Sequence, residues 1–157
     1  MNKVHHIGNA EKGDRMKESK KMLKSILNST QMGQIGIRSV MNRRISPPLQ
    51  KALESQLREY DALEREAVSI ASSRGWELQD IDPVVKVMSA AMSKAKLSYG
   101  DTNSKIAAMM IEGNTRGMIL GLRDQHNFTH QDSQIQTLSQ KLIDCERANI
   151  LQMQGFL

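Results

Sequence analysis

Three glutamates, Glu59, Glu112 and Glu146, are the residues of this 157-residue chain best placed to do chemistry. Each falls in a stretch of helical periodicity, on or beside an apolar stripe. Carboxylates projecting inward from a helical bundle can hold a pair of iron or manganese ions. Such a site takes a Glu from each of two helices and a Glu-x-x-His from each of the other two. The histidine supplies a nitrogen ligand one turn further along the same face. Here Glu146 is followed at that spacing by Asn149 and Glu59 by Ala62, and Glu-x-x-His occurs nowhere in the sequence. On the first helix Gln31 and Gln34 stand where a Glu would be wanted, and neutral amides are poor ligands for such a metal pair. The sequence therefore predicts no metal and no cofactor. An iron or manganese oxidase or storage site on Glu59, Glu112 and Glu146 is the alternative.

Polar residues enter the apolar stripes themselves. Gln34 lies on the first helix, Gln56 and Tyr60 on the second, Asn149 and Gln152 on the last. A buried amide without a partner costs about 1–3 kcal/mol, so these groups are expected to pair in an interior polar layer. That layer reads either as an altered cofactor site or as a device fixing helix register. Gly113, Gly117 and Gly121 form a ladder at i+4 spacing. Glycine inside a helix costs about 0.5–1 kcal/mol relative to alanine, so close packing against a neighbouring helix or a second chain is expected there. Nucleophilic catalysis has no support: Gly-x-Ser-x-Gly is absent, and the single cysteine, Cys145, falls in an apolar stripe. His126 and His130 stand four apart, but Asn127-Phe128-Thr129 between them reads as a turn. The residues point away from an enzyme.

The elements that must position these groups are helices. Residues 1–14 read as a flexible basic arm, and a single helical domain is expected over 15–157. The first helix should start near Arg15 and stop before Ser46-Pro47-Pro48, because the residue preceding a proline avoids the α region. Ser46 is then an N-cap with Pro47 in the first helical position. Leu49, Leu53, Gln56, Tyr60, Leu63, Ala67 and Ile70 form a heptad seam that ends at Gly75. A shorter helix carrying Val84, Val87, Met88 and Ala91 is expected between the second and third long ones. The third long helix holds Ile106, Met109, Met110 and the glycine ladder and ends around Gln125–Asn127. The last starts near Thr129 or Asp132 and carries Ile135, Leu138, Leu142, Cys145, Asn149, Gln152 and Phe156. The predicted fold is all-α: an antiparallel up-down four-helix bundle with one extra short helix.

Composition agrees with that reading. Aromatic residues make up 3% of the chain and methionine occurs eleven times, which suits helix packing rather than a β-sandwich or barrel. No run reaches the roughly 18 apolar residues of a membrane span, and no secretory signal is visible. A lone cysteine favours a reducing compartment, hence the cytoplasm. The net charge of +5 is unevenly placed: residues 1–53 hold eleven Lys/Arg against three Asp/Glu, a balance of +8. That basic third is either a solvated face or an adaptor for nucleic acid or anionic surfaces.

From residue 49 onward the chain resembles a bacterial family of ferritin-like helical-bundle proteins. The resemblance rests on LESQLREYDALEREAVSIASSRG, IDPVVKVMSAAMSK, KIAAMMIEGNTRGMILGLRD and LIDCERANILQMQGFL. The segment Ala107–Gly117, AAMMIEGNTRG, is its most specific part, and Arg116 and Cys145 depart from the family's pattern. More distantly the chain is similar to spore-coat-type ferritin-like proteins. The resemblance implies a ferritin-like frame without the iron site, a structural or protein-interaction role with self-association through the glycine ladder or the Met-rich helices, and a cytoplasmic or spore-associated location.

Overall fold

The computed structural model describes residues 4–78, 102–128 and 132–157. Among them are four helices and no strand: α1 (Val4–Met41), α2 (Pro47–Ser73), α3 (Thr102–Asn127) and α4 (Ser133–Gln154). The short helix expected around Val84–Ala91 lies outside the described residues, as does His130.

The chain's own punctuation sets the boundaries. Ser46, in extended conformation, accepts a hydrogen bond from the Leu49 backbone N–H at the head of α2, and Pro47 follows in the first turn. Gly75, with φ of +65°, lets the chain leave α2 in a left-handed conformation that L side chains avoid. Asp132 caps α4 by accepting from the backbone N–H groups of Gln134 and Ile135, both at 3.0 Å. Arg74 then joins the two ends. It pairs with Asp132, donates to Gln134 at 3.0 Å and lies 5.0 Å from the centre of the Trp76 ring.

One boundary differs from expectation. Helix α1 begins at Val4, not near Arg15, so most of the segment read as an arm is helical. Gly8 and Gly13 do not break it. A helical glycine costs about 1 kcal/mol but blocks no hydrogen bond, and no proline intervenes before Ser46. Residues 8–12 and 14–17 of this segment are exposed.

The core follows the heptad stripes. Met22, Leu23, Ile26, Leu27, Ile37 and Val40 of α1 meet Leu49, Leu53, Leu63 and Ile70 of α2, Ile106 and Met110 of α3, and Ile135, Leu138 and Met153 of α4 in one cluster. Each such side chain removed from water stabilises the fold by about 1.5–3 kcal/mol. Partners across the helices run in opposite numerical order. Gln34 meets Glu64 while Arg38 meets Asp61. Gln56 meets Gln152, Glu66 meets Lys141 and Arg74 meets Asp132. Gln125 donates to Gln140, and Gly117, further back on α3, abuts Glu146, further on along α4.

In α4 the buried stripe changes course after Leu142. The periodicity of 138, 142, 145, 149, 152 leads to Cys145 and Gln152. The residues inside are Glu146, Asn149 and Met153, while Cys145 is half-buried and Gln152 exposed. A carboxylate would not be assigned to an interior on hydropathy alone, and the neighbours that admit it lie on other helices.

Candidate functional site

Glu146 is 3% exposed, and the residues gathered around it come from two other helices. Tyr60 of α2, 1% exposed, places its hydroxyl oxygen 2.9 Å from Glu146 Oε2 and 2.7 Å from Oδ1 of Asn114 on α3. Two glycines make the room. A Cβ at Gly33 would lie 2.5 Å from the Tyr60 ring, and one at Gly117 would lie 2.6 Å from Glu146 Oε1. Any side chain at either position would displace the cluster.

Protonation follows from burial. Desolvation pushes the Glu146 carboxyl up to about 8, although the hydrogen bond with Tyr60 pulls in the opposite direction. Burial and the neighbouring Glu146 carboxyl push the Tyr60 phenol well above its ordinary value. At neutral pH the carboxyl is therefore largely protonated and the phenol is neutral. A phenol has one hydrogen to give. With Glu146 protonated, the acid donates to the Tyr60 oxygen and Tyr60 donates to Asn114. When Glu146 ionises, the Tyr60 hydrogen is drawn to the carboxylate and Asn114 Oδ1 loses its donor. Asn114 Nδ2 has no partner among the described residues, although Asn114 is only 3% exposed.

The cluster borders a cavity of about 180 Å³. Met32, Met109, Met110 and Leu120 give it apolar walls, Gly36 and Gly113 widen it, and Glu112 and Arg116 line it as well.

The other expected polar positions are distributed around this centre. Gln34 is buried and donates to Glu64, which also accepts from Gln31 at 3.1 Å. Gln56, fully buried, donates to Gln152 at 2.7 Å, and its own Oε1 has no partner among the described residues. Asn149 is buried and donates to Cys145 Sγ at 3.6 Å. The interior polar groups thus form separate pairs and one cluster rather than a single layer, and Gln152 joins from the exposed side. Asn114 does not stand out as an interior group in the sequence because it falls between the ladder glycines. Its spacing of four from Met110 was the available signal.

The three glutamates do not converge. Glu59 is exposed and accepts from the Cys145 thiol at 3.4 Å. Glu112 is exposed and pairs with Arg116 one turn along α3. Among the described residues no group of three or more His, Cys, Asp or Glu side chains is arranged to hold a metal ion. The donor set does not fit an iron or manganese pair: the buried carboxylate has a phenol and an amide for neighbours, and neither brings a compensating negative charge. Cys145 is no better placed for covalent chemistry. Burial, together with Glu59 and Glu146, pushes its thiol far above the usual range, and the thiolate is the reactive form.

The glycine ladder divides. Gly117 faces Glu146, and Gly121 faces Ile143, with a Cβ placed 2.9 Å from Ile143 Cγ1. Both therefore serve the contact of α3 with α4 inside one chain. Gly113 has no described residue within 4 Å of its Cβ position, so among the described residues it makes no close helix contact, contrary to its expected role.

No helix of the described residues is long and apolar enough to cross a membrane. Comparison of the chain with protein-family models, with curated proteins and with solved structures finds no match.

Proposed function

We propose that the protein is a non-enzymatic, ferritin-like four-helix bundle, acting by association as a structural or interaction component of the bacterial cytoplasm, in or near the spore. The observation that carries this reading is Glu146: one buried carboxyl, hydrogen-bonded to Tyr60, which in turn bonds Asn114. A hydrogen-bonded cluster stands where a metal pair would need several converging carboxylates. The opposed numbering of partners supports antiparallel packing of α1 with α2, of α2 with α4 and of α3 with α4; α2 and α3 both oppose α4 and so run in the same sense, which departs from the simple up-down succession expected. Ile119, Leu120 and Leu122 of α3 are each more than two-fifths exposed and supply an apolar surface for association. The ladder glycines do not supply one, since Gly117 and Gly121 are used within the chain. Metal analysis of protein purified without chelator tests the first half of the proposal. Iron and manganese well below one equivalent per chain are expected. About two equivalents, lost in Glu146→Ala, would overturn it. Light scattering tests the second half: a mass above the monomer, reduced in Leu122→Lys, is expected, and a monomer in both would remove self-association.

A second reading has its own observation. Lys17, Lys20, Lys21 and Lys24 lie at helical spacing on one exposed face of α1. Such a face suits phosphate-rich partners. If duplex DNA binds there, the logarithm of its affinity should fall with that of salt at a slope of about −3 to −4, for four phosphates neutralised. Replacing the four lysines by glutamine should abolish binding. Weak, salt-insensitive binding would reduce this face to a solvated surface.

A further inference from the structure

We infer that the cavity beside Tyr60, Asn114 and Glu146 is a binding site for a small, uncharged, mainly apolar molecule carrying one hydrogen-bond acceptor, which takes the N–H of Asn114 that has no partner among the described residues.

Two independent observations meet there. The first is Asn114 itself. It lines the cavity, is 3% exposed, and its Nδ2 has no partner among the described residues. A buried donor left unmade is costly, so a group that accepts from it binds with a corresponding gain. The second is Gly113. Gly33, Gly117 and Gly121 each admit a side chain of this same chain, but a Cβ at Gly113 would meet none of the described residues. Alanine would be the better helix former there. Gly113 is itself exposed and forms part of the cavity wall.

The cavity's size and lining set the chemical class. About 180 Å³ is somewhat more than the volume of about 150 Å³ that admits a benzene ring. Occupants of about six to ten non-hydrogen atoms fit. Met32, Met109 and Met110 offer adaptable, polarisable walls. The polar end is neutral while Glu146 holds its proton, and Arg116 at the cavity is already paired with Glu112. An anion would find no free countercharge among these lining groups, and a cation would meet a protonated acid. A ketone, ester or ether on a compact hydrocarbon body matches both ends.

The inference does not rest on the structural or interaction role proposed above, and its readout, ligand-induced shifts at the cavity methionines, is separate from metal content and from the mass read by light scattering. Full-length protein with 13C-labelled methionine methyls is titrated at pH 6.5 with cyclohexanone, with toluene as the probe of similar size lacking a carbonyl, and with cyclohexanecarboxylate as the charged one. Saturable shifts at Met32, Met109 and Met110 with cyclohexanone are expected. Gly113→Leu, which fills open space, should weaken that binding at least tenfold while leaving the far-ultraviolet spectrum unchanged. Should that variant fail to fold, Leu120→Trp at the exposed side of the cavity takes its place, with the same expected loss. Asn114→Ala should weaken cyclohexanone at least fivefold and toluene not at all. Absence of saturable shifts, or binding unaffected by filling the cavity, overturns the site. Equal effects of Asn114→Ala on both probes, or tighter binding of the carboxylate, overturns the assigned ligand class.

Discussion

The Tyr60 hydroxyl lies 2.9 Å from a carboxyl oxygen of Glu146, across a sequence separation of 86 residues. Both side chains are almost wholly buried. That contact ties α2 to α4, and through Asn114 it reaches α3 as well.

Glu146 makes stability depend on pH in an unusual direction. Its folded carboxyl holds a proton up to about pH 8, while the ordinary value is 4.5. Between those values the folded state binds more protons than the unfolded one. The contribution is therefore fully present below about pH 4.5 and is lost as pH rises towards 8, with a slope of at most about 1.4 kcal/mol per pH unit. Urea unfolding from pH 5 to 8.5 should show this decline, and Glu146→Gln should flatten it. An identical decline in the variant would assign the effect to other groups.

Tyr60→Phe removes the hydroxyl that serves both partners. It leaves Asn114 Oδ1 and the Glu146 carboxyl without their hydrogen bonds, at a cost of about 1–3 kcal/mol in unfolding free energy. It also removes the interaction that holds the Glu146 value down, so the carboxyl should titrate above about 8 in the variant. Thermal unfolding and carbon-detected titration read the two effects separately. A lowered Glu146 value would contradict the arrangement.

The glycines should respond in opposite senses. Gly33→Ala drives a methyl into the rigid Tyr60 ring and should destabilise by about 1–3 kcal/mol. Gly113→Ala meets nothing and should stabilise by about 0.5–1 kcal/mol through helix propensity alone. Equal effects at the two positions would refute the distinction drawn between them.

Asp132 caps α4 and pairs with Arg74. Burial opposes its ionisation, but the Arg74 guanidinium and the backbone N–H groups of Ile135 and Gln134 outweigh that and hold its carboxyl below the usual value. Asp132→Ala should cost about 0.5–2 kcal/mol. Asp132→Asn, which keeps an acceptor for the backbone, should cost less, and the difference should shrink in salt. A larger loss in Asn than in Ala would contradict the capping role.

Much of this was legible in the residues. The α2 seam from Leu49 to Ile70, the Ser46-Pro47 start and the Gly75 exit follow from local rules of helix periodicity and capping, and the structure has them as read. The α1 start is less legible: Gly8 and Gly13 lower helix propensity, but only proline removes a backbone donor, so the helix runs through both. The centre was harder to read. Periodicity placed Cys145 and Gln152 on the buried face of α4, because nothing local to α4 favours burying Glu146. What favours it is the hydroxyl of Tyr60 and the missing side chain of Gly117, both distant in sequence. Asn114 was obscured for the same reason: its environment is made by other helices.

The most direct test follows the Glu146 side-chain carboxyl carbon by NMR across pH 5 to 9, with and without added Mn²⁺. The account predicts a single transition near pH 8 in the metal-free protein, and no site-specific broadening on adding the ion at pH 6.5. A carboxyl already ionised at pH 6, or one broadened by stoichiometric Mn²⁺, would contradict the reading of this centre as a neutral hydrogen-bonded cluster.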